Sequence, residues 1–402
     1  MRAVVLGPGR IGCGFVGQLL RESGHDVTFA GPWPAVERLR RAGRYRVRLV
    51  LAGSTQESVV DGFRAVPVTD YAGVARTIRS ADLVATAVGA RNLRAVAGLI
   101  ALGLQGRRAP LNVVAFENLC DAGARLREEV ALRLRPGFPL GKHGFSGAVV
   151  SRAVAHRIVP AHRDGPLLFV GDPPSTFHVD RRALRPPLPS ITGLVATNDF
   201  EAWMRRKLYV YSAGHAATAY LAYLKGYHYI HSAIRDPEIR ATVRAAMAEG
   251  QRGVAARYGL AVAGGEADLD AILARFENAA LTDSIRRVGR DPRRKLAADD
   301  RLVGAARLAA AAGGSPEKLL FAVAAALCFS DPIDLPAAEL RLEIARRGLD
   351  AILVGVCGLE PYRGLGRSVS ESWRRLSRGW GDGNLLLQIE APMWAWTSNR
   401  AA

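Results

Sequence analysis

Gly7-Pro8-Gly9-Arg10-Ile11-Gly12 is the stretch that decides the fold. It follows the apolar run Ala3-Val4-Val5-Leu6 and opens a helix-like segment, residues 11–22, that closes at Gly24. Three glycines at this spacing, between a strand and a helix, each have a physical task. The first makes a tight turn. The second lets the backbone approach a pyrophosphate, and the third lets the helix pack closely. The free N–H groups and positive end of the helix then favour phosphate. Gly7, Gly9, Arg10, Ile11 and Gly12 are therefore candidate dinucleotide-binding residues.

Working outward, residues 27–30 read as a second strand. Residues 81–88 and 111–116 are near-continuous apolar runs, as strands buried on both faces require. Residues 167–170 add one more strand. Strands alternating with helical segments predict a doubly wound, Rossmann-like α/β sheet. Arg185-Pro186-Pro187-Leu188-Pro189 cannot be helical and reads as a linker. Beyond it, Ala, Leu, Arg and Glu recur at helical spacing. Asp236-Pro237-Glu238 and Ser315-Pro316-Glu317 each read as a capped helix start. The expected layout is a dinucleotide-binding domain over 1–189, an all-helical substrate domain over 190–377, and a tail over 378–402 with no assigned role.

Composition narrows the function. At 402 residues, with 49% hydrophobic and 23% charged, the chain has the balance of a globular protein of about two domains. Its longest apolar run, residues 319–329, suits a buried helix and is too short for a bilayer. The N-terminal apolar run meets Gly7 too early for a signal peptide, so a cytoplasmic location is expected. Cys13, Cys120, Cys328 and Cys357 form no CxxC pair, and His228 and His231 have no nearby carboxylate. The expectation is metal-free chemistry without a disulfide framework. The net charge of +18 is spread over helical segments without a nucleic-acid motif, which points to an anionic small molecule instead. Lysine is rare: Lys142, Lys207, Lys225, Lys295 and Lys318 stand among 55 basic residues. Lysine, unlike arginine, can lose its proton when buried.

The second half of the dinucleotide fingerprint is missing. An acid normally ends the second strand and holds the ribose hydroxyls. Here the strand ends at Gly31, and Asp26 lies at its other end. Arg38 and Arg41 follow within reach of a 2′-phosphate, so NAD(H) and NADP(H) both remain open.

Two segments carry candidate chemistry. Phe116-Glu117-Asn118 ends a predicted strand, where open α/β sheets bind ligands. Lys207-Leu208-Tyr209-Val210-Tyr211-Ser212-Ala213-Gly214-His215, if α-helical, puts Lys207, Tyr211 and His215 on one face, with Ser212 a turn before His215. These segments, with Thr86-Ala87-Val88-Gly89, Arg157-Ile158-Val159-Pro160, Arg275-Phe276-Glu277-Asn278, Val288-Gly289-Arg290 and Arg294-Lys295-Leu296, make the chain resemble the mannitol-1-phosphate 5-dehydrogenase family of long-chain polyol dehydrogenases.

The resemblance implies a metal-independent, NAD(P)(H)-dependent oxidoreductase of sugar phosphates, a monomer or small homo-oligomer. It implies Lys207 as acid/base, Asn118 as donor to the developing alkoxide and His215 as a further donor, with Val88, Gly89 and Asn118 also at the cofactor. Arg290, Arg294 and Lys295 become the expected phosphate site. Three features depart from the family pattern. Ser212 replaces its Asn, Gly31 replaces its acid, and Arg152 and His156 stand where it tends to carry Asp. Altered specificity follows as an expectation, with a biosynthetic tailoring reductase or a non-catalytic dinucleotide-binding relative as the alternatives.

Overall fold

A computed structural model describes residues 1–51, 53–158 and 167–378. The Val159-Pro160 end of one family motif and the tail from residue 379 onward lie outside the described residues. The chain divides into two compact units between Met204 and Arg205.

The first unit is built on strands β1 (Arg2–Leu6), β2 (Asp26–Gly31), β3 (Arg44–Leu51), β4 (Ser54–Asp61), β5 (Arg64–Pro67), β6 (Leu83–Thr86), β7 (Asn112–Ala115), β8 (Gly144–Val150), β9 (Val154–Ile158), β10 (Leu167–Gly171), β11 (Phe177–Asp180) and β12 (Leu194–Thr197). Eight of them form one sheet in the order β12-β11-β8-β7-β6-β1-β2-β5. Only the β8–β11 pair in it is antiparallel. Every residue of β6, β7 and β8 is buried, because helices cover one face and the glycine-rich helix with the residues of a second sheet forms the core on the other. The strand order reverses between β1 and β6, so the loops leaving their carboxyl ends diverge and leave a crevice for a ligand.

Two expectations need correction. The prolines at 185–189 do not end the first unit: the chain returns as β12, parallel to β11 from Phe177↔Leu194 to Asp180↔Thr197. The strand at 167–170 belongs to a second sheet, β4-β3-β10-β9. That sheet rests on a period-two pattern in Arg44-Tyr45-Arg46-Val47-Arg48-Leu49. Tyr45, Val47 and Leu49 are buried, while the arginines between them are more exposed.

The second unit is helical throughout its described residues. Pro237–Tyr258, Ala213–Leu224, Val303–Ala311 and Glu317–Leu327 pack together around one core. Ala216, Ala217, Ala219, Ala322, Ala324, Ala325 and Ala326 are all buried, so small side chains let the helix axes approach closely. Asp236 caps its helix as expected, accepting from the N–H groups of Glu238 (2.9 Å) and Ile239 (3.1 Å). Ser315 does not cap the next one. The buried Glu249 carboxylate accepts from the N–H groups of Lys318 (2.9 Å) and Leu319 (2.8 Å) instead. A carboxylate supplied by a neighbouring helix thus satisfies the orphan amides.

Candidate active site

In the first unit the glycine-rich turn is tightly held. Gly7 adopts φ +100°, and its N–H donates to Ala30 O at 2.9 Å. A methyl group on Gly7 would lie 2.5 Å from Ala87 O, and one on Gly12 would lie 2.0 Å from Gly7 O. Gly9 differs: nothing lies within 4 Å of where its methyl would sit. The turn is therefore closed against the protein and open at Gly9, the shape that lets a pyrophosphate reach the backbone. Arg10 donates to Ala155 O at 2.8 Å and ties the start of the helix to β9.

The loop after β6 is held from beneath by a residue that the sequence reading quoted but gave no role. Glu117 is buried just past β7. Its Oε1 accepts from Val88 N–H (2.9 Å) and Thr86 Oγ1–H (3.2 Å), and its Oε2 accepts from Gly89 N–H (2.8 Å). Burial raises its pKa, and the two backbone N–H groups and Thr86 work against that rise. Gly89, at φ +90°, turns the chain over this carboxylate. Phe116, the preceding residue, packs edge-on against Phe15 of the glycine-rich helix, with ring centroids 6.3 Å apart. The three strand-end loops therefore brace one another, and Asn118 stands exposed at their rim. A buried Glu at the end of a predicted strand, one residue before an exposed amide, was the available signal.

In the second unit, Lys207–Ser212 is a π-helical turn leading into Ala213–Leu224. This changes which residues share a face. A π turn closes i→i+5, so its backbone hydrogen bond spans Lys207 to Ser212, and Ser212 lies three residues before His215. The spacing K-x4-S-x2-H is thus five plus three, one π step and one α step. A uniform α-helix would have paired Lys207 with Tyr211. Lys207 is half-buried and Ser212 is buried.

His215 stacks on Phe276, with centroids 5.0 Å apart, and its Nε2 lies 3.3 Å from Asp283 Oδ2. Burial pushes the imidazole below the ordinary histidine pKa, and Asp283 only partly offsets this. Burial also works against the Asp283 carboxylate. The hydrogen bond from His215 and the charge of Arg287 outweigh it and hold that carboxylate below its usual range. A neutral ring that donates through Nε2 keeps Nδ1 as an acceptor. In that form the ring would offer a substrate an acceptor, and the donor role that the resemblance implies would need the imidazolium. Tyr211, His215, His231, Arg275, Asn278 and Asp283 line a small pocket here.

The comparisons with known proteins agree with this architecture. The mannitol dehydrogenase Rossmann domain matches residues 1–189, and the mannitol dehydrogenase C-terminal domain matches residues 199–346. The chain belongs to the mannitol dehydrogenase family. It is 38% identical over 367 residues to the mannitol-1-phosphate 5-dehydrogenase of Bacillus licheniformis, covering 90% of this chain and 96% of that one. It is 38% identical over 370 residues to the enzyme of the same name from an Arthrobacter species, covering 90% and 94%. The fold matches Pseudomonas fluorescens mannitol 2-dehydrogenase, solved with NAD and D-mannitol, at TM-score 0.73, 17% identity, and 97% and 94% coverage. A D-sorbitol dehydrogenase matches at TM-score 0.72 and 16% identity, covering 94% and 93%. The protein is thus an NAD(P)-dependent dehydrogenase. The open backbone at Gly9, and the exclusion of side chains at Gly7 and Gly12, fit such a cofactor.

The basic run at 286–295 is largely engaged in ion pairs. Arg286 pairs with Asp331, Arg287 with Asp283, Arg293 with Glu343, and Arg294 with Asp291 and Asp300. Lys295 is 5% exposed, and its Nζ donates to the carbonyls of Val288 and Arg290. Burial, with Arg301 and Arg294 nearby, lowers its pKa far below that of an ordinary lysine. Arg290 is exposed, and its backbone serves as the Lys295 acceptor.

Arg152, which stands where the family tends to carry Asp, is a structural tie. It is buried over the Phe15 ring and donates to Gln18 Oε1 (2.5 Å), Gly14 O (3.2 Å) and Pro174 O (3.0 Å). Burial lowers its pKa to about 10. The side chain of His156 lies outside the described residues.

Proposed function

We propose that this dehydrogenase interconverts a polyol phosphate and its ketose phosphate, with mannitol 1-phosphate and fructose 6-phosphate as the first pair to test. The observation that supports the reading is the π turn over Lys207–Ser212, which leads directly into the helix that carries His215. In the oxidation, the Lys207 amine takes the hydroxyl proton, and in the reduction its ammonium returns it. Asn118 donates its amide N–H to the oxygen as charge develops there. Ser212 Oγ–H supplies a second donor, and His215 Nδ1 accepts from a neighbouring substrate hydroxyl. Gly9, Arg10, Ile11, Val88 and Gly89 hold the nicotinamide cofactor. When bound, that cofactor accepts or returns the hydride of the carbinol carbon.

A cytoplasmic location and a monomeric or small homo-oligomeric state belong to the same proposal. Ser212 favours a second reading. A hydroxyl is shorter than the family's amide and carries one donor, which suits a different polar hydroxy or keto compound. The test is oxidation of reduced cofactor by purified protein with fructose 6-phosphate, followed by its absorbance. No turnover with any sugar phosphate would count against the first reading. Turnover of another polar ketone would establish the second.

A further inference from the structure

Gly31 is more than a missing carboxylate. A Cβ built on it would lie 2.3 Å from Cδ and 2.5 Å from Cγ of Pro8. Pro8 sits between the first two glycines of the turn, and its ring has no rotamer by which to step aside. The turn is pinned on both sides by Gly7 N–H to Ala30 O (2.9 Å) and Gly9 N–H to Gly7 O (2.8 Å). Gly31 is equally fixed: β2 is flanked by β1 and β5, and Gly31 O accepts from Val68 N–H at 2.9 Å. The proline ring therefore occupies the space from which a ribose-binding carboxylate would project.

The groups that follow are cationic. The helix Trp33–Ala42, which starts two residues after Gly31, carries Arg38, Arg40 and Arg41 against a single acid, Glu37. The Arg40 guanidinium lies 5.9 Å from the centroid of Trp33, and its Nε donates to Ala65 O on β5 at 2.8 Å. Trp33 is 51% exposed, so an aromatic face backed by an anchored cation opens to solvent beside the strand end. Asp26, at the opposite end of β2, does not oppose it.

We infer that this chain takes NADP(H) in preference to NAD(H): Pro8 packed on Gly31 removes the acid that would repel an adenosine 2′-phosphate, and the Arg40–Trp33 pair supplies its counter-charge. The inference rests on the dinucleotide-binding part of the proposed function and deepens it. Equilibrium titration of the whole protein with NADPH and with NADH, read by tryptophan quenching or calorimetry without substrate, tests it apart from catalysis.

NADPH should bind at least about tenfold more tightly, as a charge-assisted phosphate contact allows, and the ratio should shrink with salt. Arg40→Ala should pull the ratio toward one through NADPH alone. Gly31→Asp should weaken both cofactors, and Pro8→Ala/Gly31→Asp should recover NADH. Equal affinities, or tight NADH binding by Gly31→Asp alone, would overturn the inference while leaving the proposed reaction standing. Binding of neither cofactor would overturn both.

Discussion

Arg206-Lys207-Leu208 opens a π turn, whereas Arg294-Lys295-Leu296 closes a helix of one turn, and the two lysines have different surroundings. Lys295 is buried over the Tyr220 ring, and its Nζ donates to the backbone carbonyls of Val288 and Arg290. Lys207 is half-buried at the start of the π turn that ends at Ser212 and leads to His215. The same tripeptide thus serves as a structural clamp in one place and as a candidate acid/base in the other. What separates them is which groups the surrounding helices bring to the amine. Rarity of lysine picked out both and could not rank them.

That contrast can be broken experimentally. Lys207→Ala should lower kcat by about 10²–10⁴-fold, the usual worth of a general acid/base, with little change in melting temperature. Retained turnover in a folded Lys207→Ala protein would end the proposed role. Lys295→Met should do the reverse. It strips two buried carbonyls of their donor and should cost about 2–4 kcal/mol in chemical denaturation, while the folded fraction keeps its kcat. An unchanged unfolding midpoint would remove Lys295 as a clamp.

Glu117→Gln sharpens the comparison from the first unit. An amide NH2 would face one of the two loop N–H groups, at a cost of about 1–3 kcal/mol, and cofactor affinity should fall before kcat does. A normal cofactor Kd in that variant would show that the carboxylate does not set the loop.

The smallest effect concerns His215. Its pKa in the fold lies below the unfolded value of about 6.5. In that window the unfolded chain binds the proton more readily, so stability rises with pH. The contribution is complete above about pH 6.5 and is lost as pH falls through the lower folded value. His215→Gln should therefore flatten part of the acid limb of a stability-against-pH curve. Direct titration of the His215 ring by NMR should give a midpoint below that of an exposed histidine. A midpoint at or above 6.5 would mean that Asp283, not burial, dominates the ring.

Legibility followed the range of the interactions. The parallel strands were readable because burial on both faces demands near-continuous apolar runs, as in β6 and β7. The glycine-rich turn was readable because its steric needs lie within six residues. The alternation in Arg44–Leu49 was present but hidden by its three arginines, which face away from the core. Glu249 as a cap and Arg152 as a tie were not readable, and Glu117 was marked only by its place at a strand end, because their partners come from elsewhere in the chain. The motif K-x4-S-x2-H was visible as spacing, but only the π turn shows why the interval is five.

By itself the sequence determined the periodicities, the turn chemistry and the supply of rare titratable groups, because these depend on neighbours along the chain. Tertiary structure alone decided which lysine grips carbonyls, which nitrogen of His215 is committed to Asp283, and that a proline ring fills the space beside Gly31. A side chain's protonation, partners and room are set by groups that folding brings from distant positions, and no local pattern encodes them.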